Sequence, residues 1–212
     1  MKNGVSAKGL QKILGIGSYE TAWNWLHKFR RLMIIPDRNK LSDIVEVDET
    51  YVGGARSGKR GRGAEGKVVV FIAVEVKDFG TGRVRIEPKL DVTSDSIQLF
   101  IRNNVYMGST IISDGLNSYK NITKAGYKHK IETNKSKLDD EELLPNVHRV
   151  ASLLKRWLIG THQNYASEDK LKYYLDEFTF RYNRRTSNSR GLLFYRIIEQ
   201  SVIHQPVKNL EL

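Results

Sequence analysis

No cysteine occurs in the 212 residues, which excludes a disulfide framework, a thiolate nucleophile and any zinc or iron–sulfur site built on sulfur. The chemistry must use oxygen and nitrogen donors. Long apolar runs are lacking too: the longest, Val68 to Val74, falls far short of the ~20 residues that a membrane-spanning helix needs. Residues 1–10 hold no apolar stretch of the kind a signal peptide carries, so a soluble cytoplasmic protein is expected. Acidic residues are in deficit, 24 against 35 basic ones, which leaves a formal net charge of +11. Polyanions are the partner class this charge implies. The length allows one domain with an appendage or two small ones, and a chain of this size buries roughly 70% of its unfolded surface without staples.

The positive charge is concentrated. His27 to Lys40 nets +4, Gly53 to Lys67 nets +4, and Phe178 to Ile198 nets +5 with no acidic residue, so the rest of the chain is close to neutral. Blocks of this kind read as contact surfaces for phosphate; solvated faces are the alternative. The candidates for backbone contact are Lys28, Arg30, Arg31, Arg56, Lys59, Arg60, Arg62, Arg156, Arg181, Arg184, Arg185 and Arg190.

Residues 6–33 read as two short helices. Leu10, Ile13 and Leu14 mark the first, Gly15-Ile16-Gly17 breaks it, and Ser18 caps a second with Ala22, Trp25, Leu26, Phe29 and Met33 on one face. Either a helix-turn-helix or an αα-hairpin packed on the main domain fits this outline. After a polar linker at Pro36 to Lys40, strand patterns begin at Asp43. The glycine-rich stretch 53–66 reads as a mobile hairpin tip, Lys67 to Val76 as a strand buried on both faces, and Arg83 to Leu90 as a peripheral strand. Ser94 is expected to cap a helix buried through Ile97, Phe100, Ile101 and Val105. Thr110 to Gly115 reads as a strand ending in a carboxylate, Asn117 to Ala125 as a short helix, and Lys128 to Thr133 as a weak strand. Helices follow at 145–159, 168–183 and 192–203. This order predicts a mixed α/β sheet flanked by helices.

Asp48 and Asp114 each leave an apolar strand pattern, where strand-end carboxylates project into a crevice. An Asp in such a place is costly unless it is ionised toward solvent or a cation, so two of them suggest a shared metal. On the helix at 145–159, Val147, Val150, Ala151, Leu154 and Leu158 form the apolar stripe. His148 and Lys155, seven positions apart, project within ~20° of each other along its edge.

The segments VDETYVGG (47–54), ISDG (112–115), HRVASLLKRWLIGTHQ (148–163) and YLDEFTFRYNRR (174–185) closely resemble bacterial insertion-sequence transposases of the DDE class with an ISXO2-like transposase domain. The resemblance covers roughly 4–212. It implies an RNase H-like catalytic domain over 41–212, a mixed five-stranded sheet flanked by helices, preceded at 1–40 by a small helix-turn-helix-like segment. It also implies Asp48 and Asp114 as the first two catalytic acids and metal ligands, and a third ligand seven residues before Lys155, which is His148. Relatives carry Glu, Asn or His there; Asp139, Asp140, Glu141 and Glu142 lie just before the helix as alternative carboxylates. Family members usually carry a cysteine zinc ribbon ahead of the two-helix segment, so a truncated chain is expected.

The reading that follows is a transposase. Two ions, Mg²⁺ or Mn²⁺, would assist hydrolysis and then strand transfer, with Lys155 gripping a phosphate near the scissile bond. The expected partners are double-stranded DNA, both terminal inverted repeats and target, and a second copy of the chain. A decayed transposase that only binds DNA, or an RNase H-like nuclease, is the alternative.

Overall fold

The structure, a computed structural model, describes residues 4–34, 38–53, 67–78, 80–133, 143–162, 168–206 and 208. They fall into two compact units, Asn39–Arg156 and Met1–Arg38 with Trp157–Leu212.

The first unit is built on five strands: β1 (Ile44–Val52), β2 (Val68–Lys77), β3 (Gly80–Lys89), β4 (Thr110–Ser113) and β5 (Lys128–Ile131). Their order is β3-β2-β1-β4-β5. β1 to β3 form an antiparallel meander, while β4 lies parallel to β1 and β5 parallel to β4. This is the RNase H-like arrangement. Period-two alternation sends Val45 and Val47 of β1, with Val69, Phe71 and Ala73 of β2, to one face, where α3 (Ser94–Asn104) covers them through Ile97, Phe100 and Ile101. The other face of β2, with Val70, Ile72 and Val74, is equally buried, so the run at 67–76 is indeed a strand covered on both sides. Pro88 sits in the edge strand β3, where its missing N–H costs least.

Local details depart from the sequence reading. Thr93, not Ser94, caps α3, its hydroxyl accepting from the Ser96 N–H at 3.3 Å. The helix expected over 117–125 is two 3-10 turns, Asn117–Tyr119 and Thr123–Ala125, closed by Gly126 at a φ of 88° that favours glycine. Asp48 lies in the middle of β1 rather than at its end. Its apolar run stops there, but β-pairing with β2 continues to Val52.

The second unit is helical: α1 (Ala7–Leu14), α2 (Tyr19–Arg31), the end of α4 (Pro145–His162), α5 (Glu168–Asn183) and α6 (Arg190–Ile203). Ser6 and Ser18 cap α1 and α2 as N-caps should, and Gly15 ends α1 in the left-handed region. The apolar stripes read for these helices coincide only in part with their buried faces. Ala22 is buried as read, but Ile13, Leu14, Trp25 and Phe29 are exposed, whereas His27 and Arg30 are buried. α5 supplies a carboxylate partner to Arg30 and ring contacts to His27, whose two ring nitrogens are buried with no hydrogen-bond partner among the described residues. The His27 ring lies 4.0 Å from that of Trp23 and 5.7 Å from that of Tyr174, and Arg30 Nε donates to Glu177 Oε2 at 2.8 Å. Burial, reinforced by the Arg30 charge, pushes the His27 pKa down to about 3, so it is a neutral core residue. The helix pair thus packs on another helix through α2. No helix of the described residues is long and apolar enough to cross a membrane.

Candidate catalytic site

β1 and β4 run side by side with Ile44 opposite Thr110, Val45 opposite Ile111 and Glu46 opposite Ile112. Extending that register by two residues brings Asp48 level with Asp114, the residue directly after β4. Asp114 ends the strand itself: its Oδ1 accepts the Leu116 N–H at 3.0 Å, an Asx turn that peels the chain from the sheet.

The third element arrives through a cap the sequence reading did not identify. Residue 144, the N-cap position of α4, is a leucine, which offers no side-chain acceptor. Pro145 lacks an N–H, and the next free donors are met from the sheet. Glu46, 4% exposed, accepts the Val147 N–H through Oε2 at 2.8 Å and the Asn146 side-chain amide through Oε1 at 2.7 Å. A carboxylate at this helix end also suits the macrodipole. Two residues along the same face of β1, Asp48 Oδ2 lies 3.3 Å from His148 Nε2. The strand that carries Asp48 therefore also fixes the helix turn that carries His148. Glu46→Ala is expected to destabilise the fold by about 1–3 kcal/mol, the cost of an orphaned buried donor, read as a lower urea midpoint at unchanged m-value.

The electrostatics of this corner are unbalanced. Burial raises the Asp48 pKa from its ordinary 3.8 to about 6, and the negative charges of Glu49 and Asp114 add to the effect; the Glu49 backbone N–H and His148 oppose it. On the opposite face of β1, Glu49 accepts from the Tyr119 hydroxyl at 3.3 Å. Burial and the nearby carboxylates, Glu49 first, push that hydroxyl well above the usual tyrosine range. A raised carboxyl pKa means the native state binds the extra proton between pH ~4 and ~6, so this site loses stability as pH rises through that window. Without divalent cations, Asp48→Asn is therefore expected to unfold at higher temperature than the parent at pH 7, by an amount of order 2 kcal/mol. At pH 4, where both forms are uncharged, the gain should vanish.

Among the described residues, no three His, Asp or Glu side chains converge closely enough to enclose an ion. Asp48 and His148 meet, and Asp114 is felt at Asp48 as a charge. The donor chemistry nonetheless fits a divalent cation: two carboxylates and an imidazole, with an excess of negative charge that a cation relieves. The alternative carboxylates Asp139, Asp140, Glu141 and Glu142 lie outside the described residues.

Lys155 is exposed on α4 two turns beyond His148, and Arg156 follows it, also exposed. Of the basic residues read as DNA contacts, Arg30 requires correction. It is 4% exposed, held in the ion pair with Glu177 and stacked 4.7 Å over the Tyr174 ring, so it serves the helical core. Lys28 and Arg31 keep part of their surface in solvent. Arg184 and Arg185 lie over the rings of Phe180 and Tyr182, at 4.0 and 4.2 Å, and Arg181 meets Glu177 at 3.2 Å. Arg56, Lys59, Arg60, Arg62 and the side chain of Arg190 lie outside the described residues.

A sheet of this topology, with carboxylates on neighbouring parallel strands and a helix residue meeting one of them, is compatible with a DDE-class transposase domain. The chain belongs to the ISXO2-like transposase domain family, whose model matches residues 40–183. No match is found among curated proteins. Among solved structures, the catalytic core domain of BIV integrase is similar at 14% identity and a TM-score of 0.46, over 76% of this chain and 97% of that one. Mos1 transposase in its paired-end complex with the left transposon end is similar at 13% identity and a TM-score of 0.43, over 93% and 75%.

Proposed function

We propose that this protein is an active DNA transposase that cuts the ends of an insertion sequence and joins them to target DNA, with Asp48, Asp114 and His148 as its metal ligands. The observation that carries this reading is the contact of Asp48 with His148, with Asp114 level with Asp48 in the strand register, inside the family's domain. Mg²⁺ or Mn²⁺, two ions in all, would supply Lewis-acid activation of water or of a DNA 3′-hydroxyl for in-line attack on a phosphodiester.

The protein's own residues hold and orient. Glu46 locks the first turn of α4 so that the His148 imidazole faces Asp48, and Lys155 offers a point charge to a phosphate along the same helix edge. The arginines of residues 181–196 grip the DNA backbone. Burial and the neighbouring Arg196 guanidinium lower the Arg184 pKa, a strain that a phosphate relieves. Transposition requires two ends in one complex, so a dimer on DNA is part of the proposal, as is action on chromosomal DNA in the cytoplasm.

The test is nicking of a labelled duplex carrying the flanking terminal repeats, with Mg²⁺ or Mn²⁺ and with chelator. Ion-dependent nicking supports the reading, whereas binding without nicking in either ion leaves only a DNA-binding protein. In the same assay, affinity should fall with salt at a log–log slope of about −0.9 per phosphate neutralised. Replacing Arg181, Arg184 and Arg185 together by alanine should make that slope shallower by about 2.7. An unchanged slope would mean that these arginines serve only the ring contacts of Phe180 and Tyr182 and the ion pair with Glu177.

A further inference from the structure

The helical unit contains a cleft of about 460 Å³ that the proposed chemistry does not use, lined in part by Ser6, Lys8, Tyr19, Trp23, His162 and Tyr174. Its size is that of a small-molecule site. We propose that it binds one unpaired nucleotide of a DNA strand, the base against the aromatic wall and the phosphate at Lys8; this rests on the reading of the protein as one that handles DNA.

Two features select a planar anion. The first is the wall, four aromatic or imidazole rings of which the inner three are held in place before any ligand arrives. Trp23 packs against the His27 ring at 4.0 Å, and Tyr174 against the His162 ring at 4.0 Å with Arg30 above it at 4.7 Å. Tyr19 stands at the rim, 51% exposed, where a stacked base would cover it. A fixed aromatic wall binds bases without regard to sequence because every base has a flat face. The second is charge. Among the described residues no acidic side chain lines the cleft; Lys8 does, as does Arg30, whose charge Glu177 already balances, and the Lys170 ammonium lies 5.4 Å from the centre of the Trp23 ring. The first-turn N–H groups of α1 lie beside Lys8 and add positive potential.

The experiment uses the full chain and two DNAs that differ only in a short 5′ single-stranded tail carrying 2-aminopurine, with dAMP, deoxyadenosine and inorganic phosphate as small probes. The tailed duplex should bind at least about tenfold tighter than the blunt one. Its 2-aminopurine emission should be quenched on binding, and dAMP should outcompete both deoxyadenosine and phosphate. Tyr19→Ala and Lys8→Ala, both surface changes, should each erase most of that preference while blunt-duplex affinity is retained. A parent protein that binds both duplexes equally, or variants that keep the full preference, would overturn the cleft assignment and leave the DNA reading standing. Tyr19-dependent binding of dAMP by a protein that binds neither duplex would do the reverse, supporting the cleft and removing the DNA reading.

Discussion

Asp48→Asn and Asp114→Asn are each expected to reduce ion-dependent strand cleavage by about 10³-fold or more while changing DNA affinity by no more than a factor of about two. Both substitutions remove a charged oxygen ligand and keep the shape of the side chain, so the lost term is the electrostatic stabilisation that a bound cation and its carboxylates supply at the reacting phosphate. DNA affinity should hold because the basic segments lie elsewhere in the sequence. Asp48→Asn carries a second signature that a merely damaged protein would not show. Its ordinary effect on stability at pH 7 is a gain, since it removes the carboxylate whose pKa burial and Glu49 raise to about 6. A variant that melts higher, binds DNA as before and does not cut is the pattern of a functional charge held at a cost in stability. Cleavage retained in either variant would remove that residue from the ligand set.

Much of this site was legible because it depends on local pattern. The apolar run at 67–76 can only be a doubly covered strand, and the stripe Val147, Val150, Leu154 and Leu158 is buried as its spacing requires. Asp114 is marked by the end of its short strand. What was not legible depends on partners distant in sequence. Arg30 looks like a backbone contact from its basic neighbours, yet Glu177, a distance of 147 residues along the chain, turns it into a core residue. The same tertiary pairing lets α2 bury His27 while Trp25 and Phe29 face solvent. Glu46 was within reach: it shares the period-two face of Asp48, and Leu144-Pro145 leaves a helix start without a local cap. Those two facts in combination ask for an acceptor from another element. No comparable signal exists for the Glu49–Tyr119 contact across the sheet's other face.

His148 is where ligand chemistry and family pattern pull apart, and its substitutions should divide sharply by ion. Imidazole suits Mn²⁺ better than Mg²⁺, which favours oxygen donors. His148→Glu should therefore raise, or at least hold, activity in Mg²⁺ relative to Mn²⁺, because it creates a three-carboxylate site. It should also make the protein more dependent on the ion. A third carboxylate beside Asp48 worsens the charge excess already present there, so the ion-free variant should melt below the parent and gain more on titration with Mg²⁺. His148→Ala should lose activity with both ions, as Asp48→Asn does. The contrary expectation is equally definite. The side chain is 40% exposed, and a surface residue of that kind usually tolerates alanine within about 0.5 kcal/mol of stability. Nicking of an end-containing duplex by the two variants in each ion, with a melting curve for each, separates the cases. Full activity of His148→Ala would reject the ligand role and shift it to Glu141 or Glu142, the carboxylates that immediately precede α4. Loss in both ions for alanine together with Mg²⁺ activity for glutamate would identify position 148 as the third ligand, and histidine as the source of a Mn²⁺ preference.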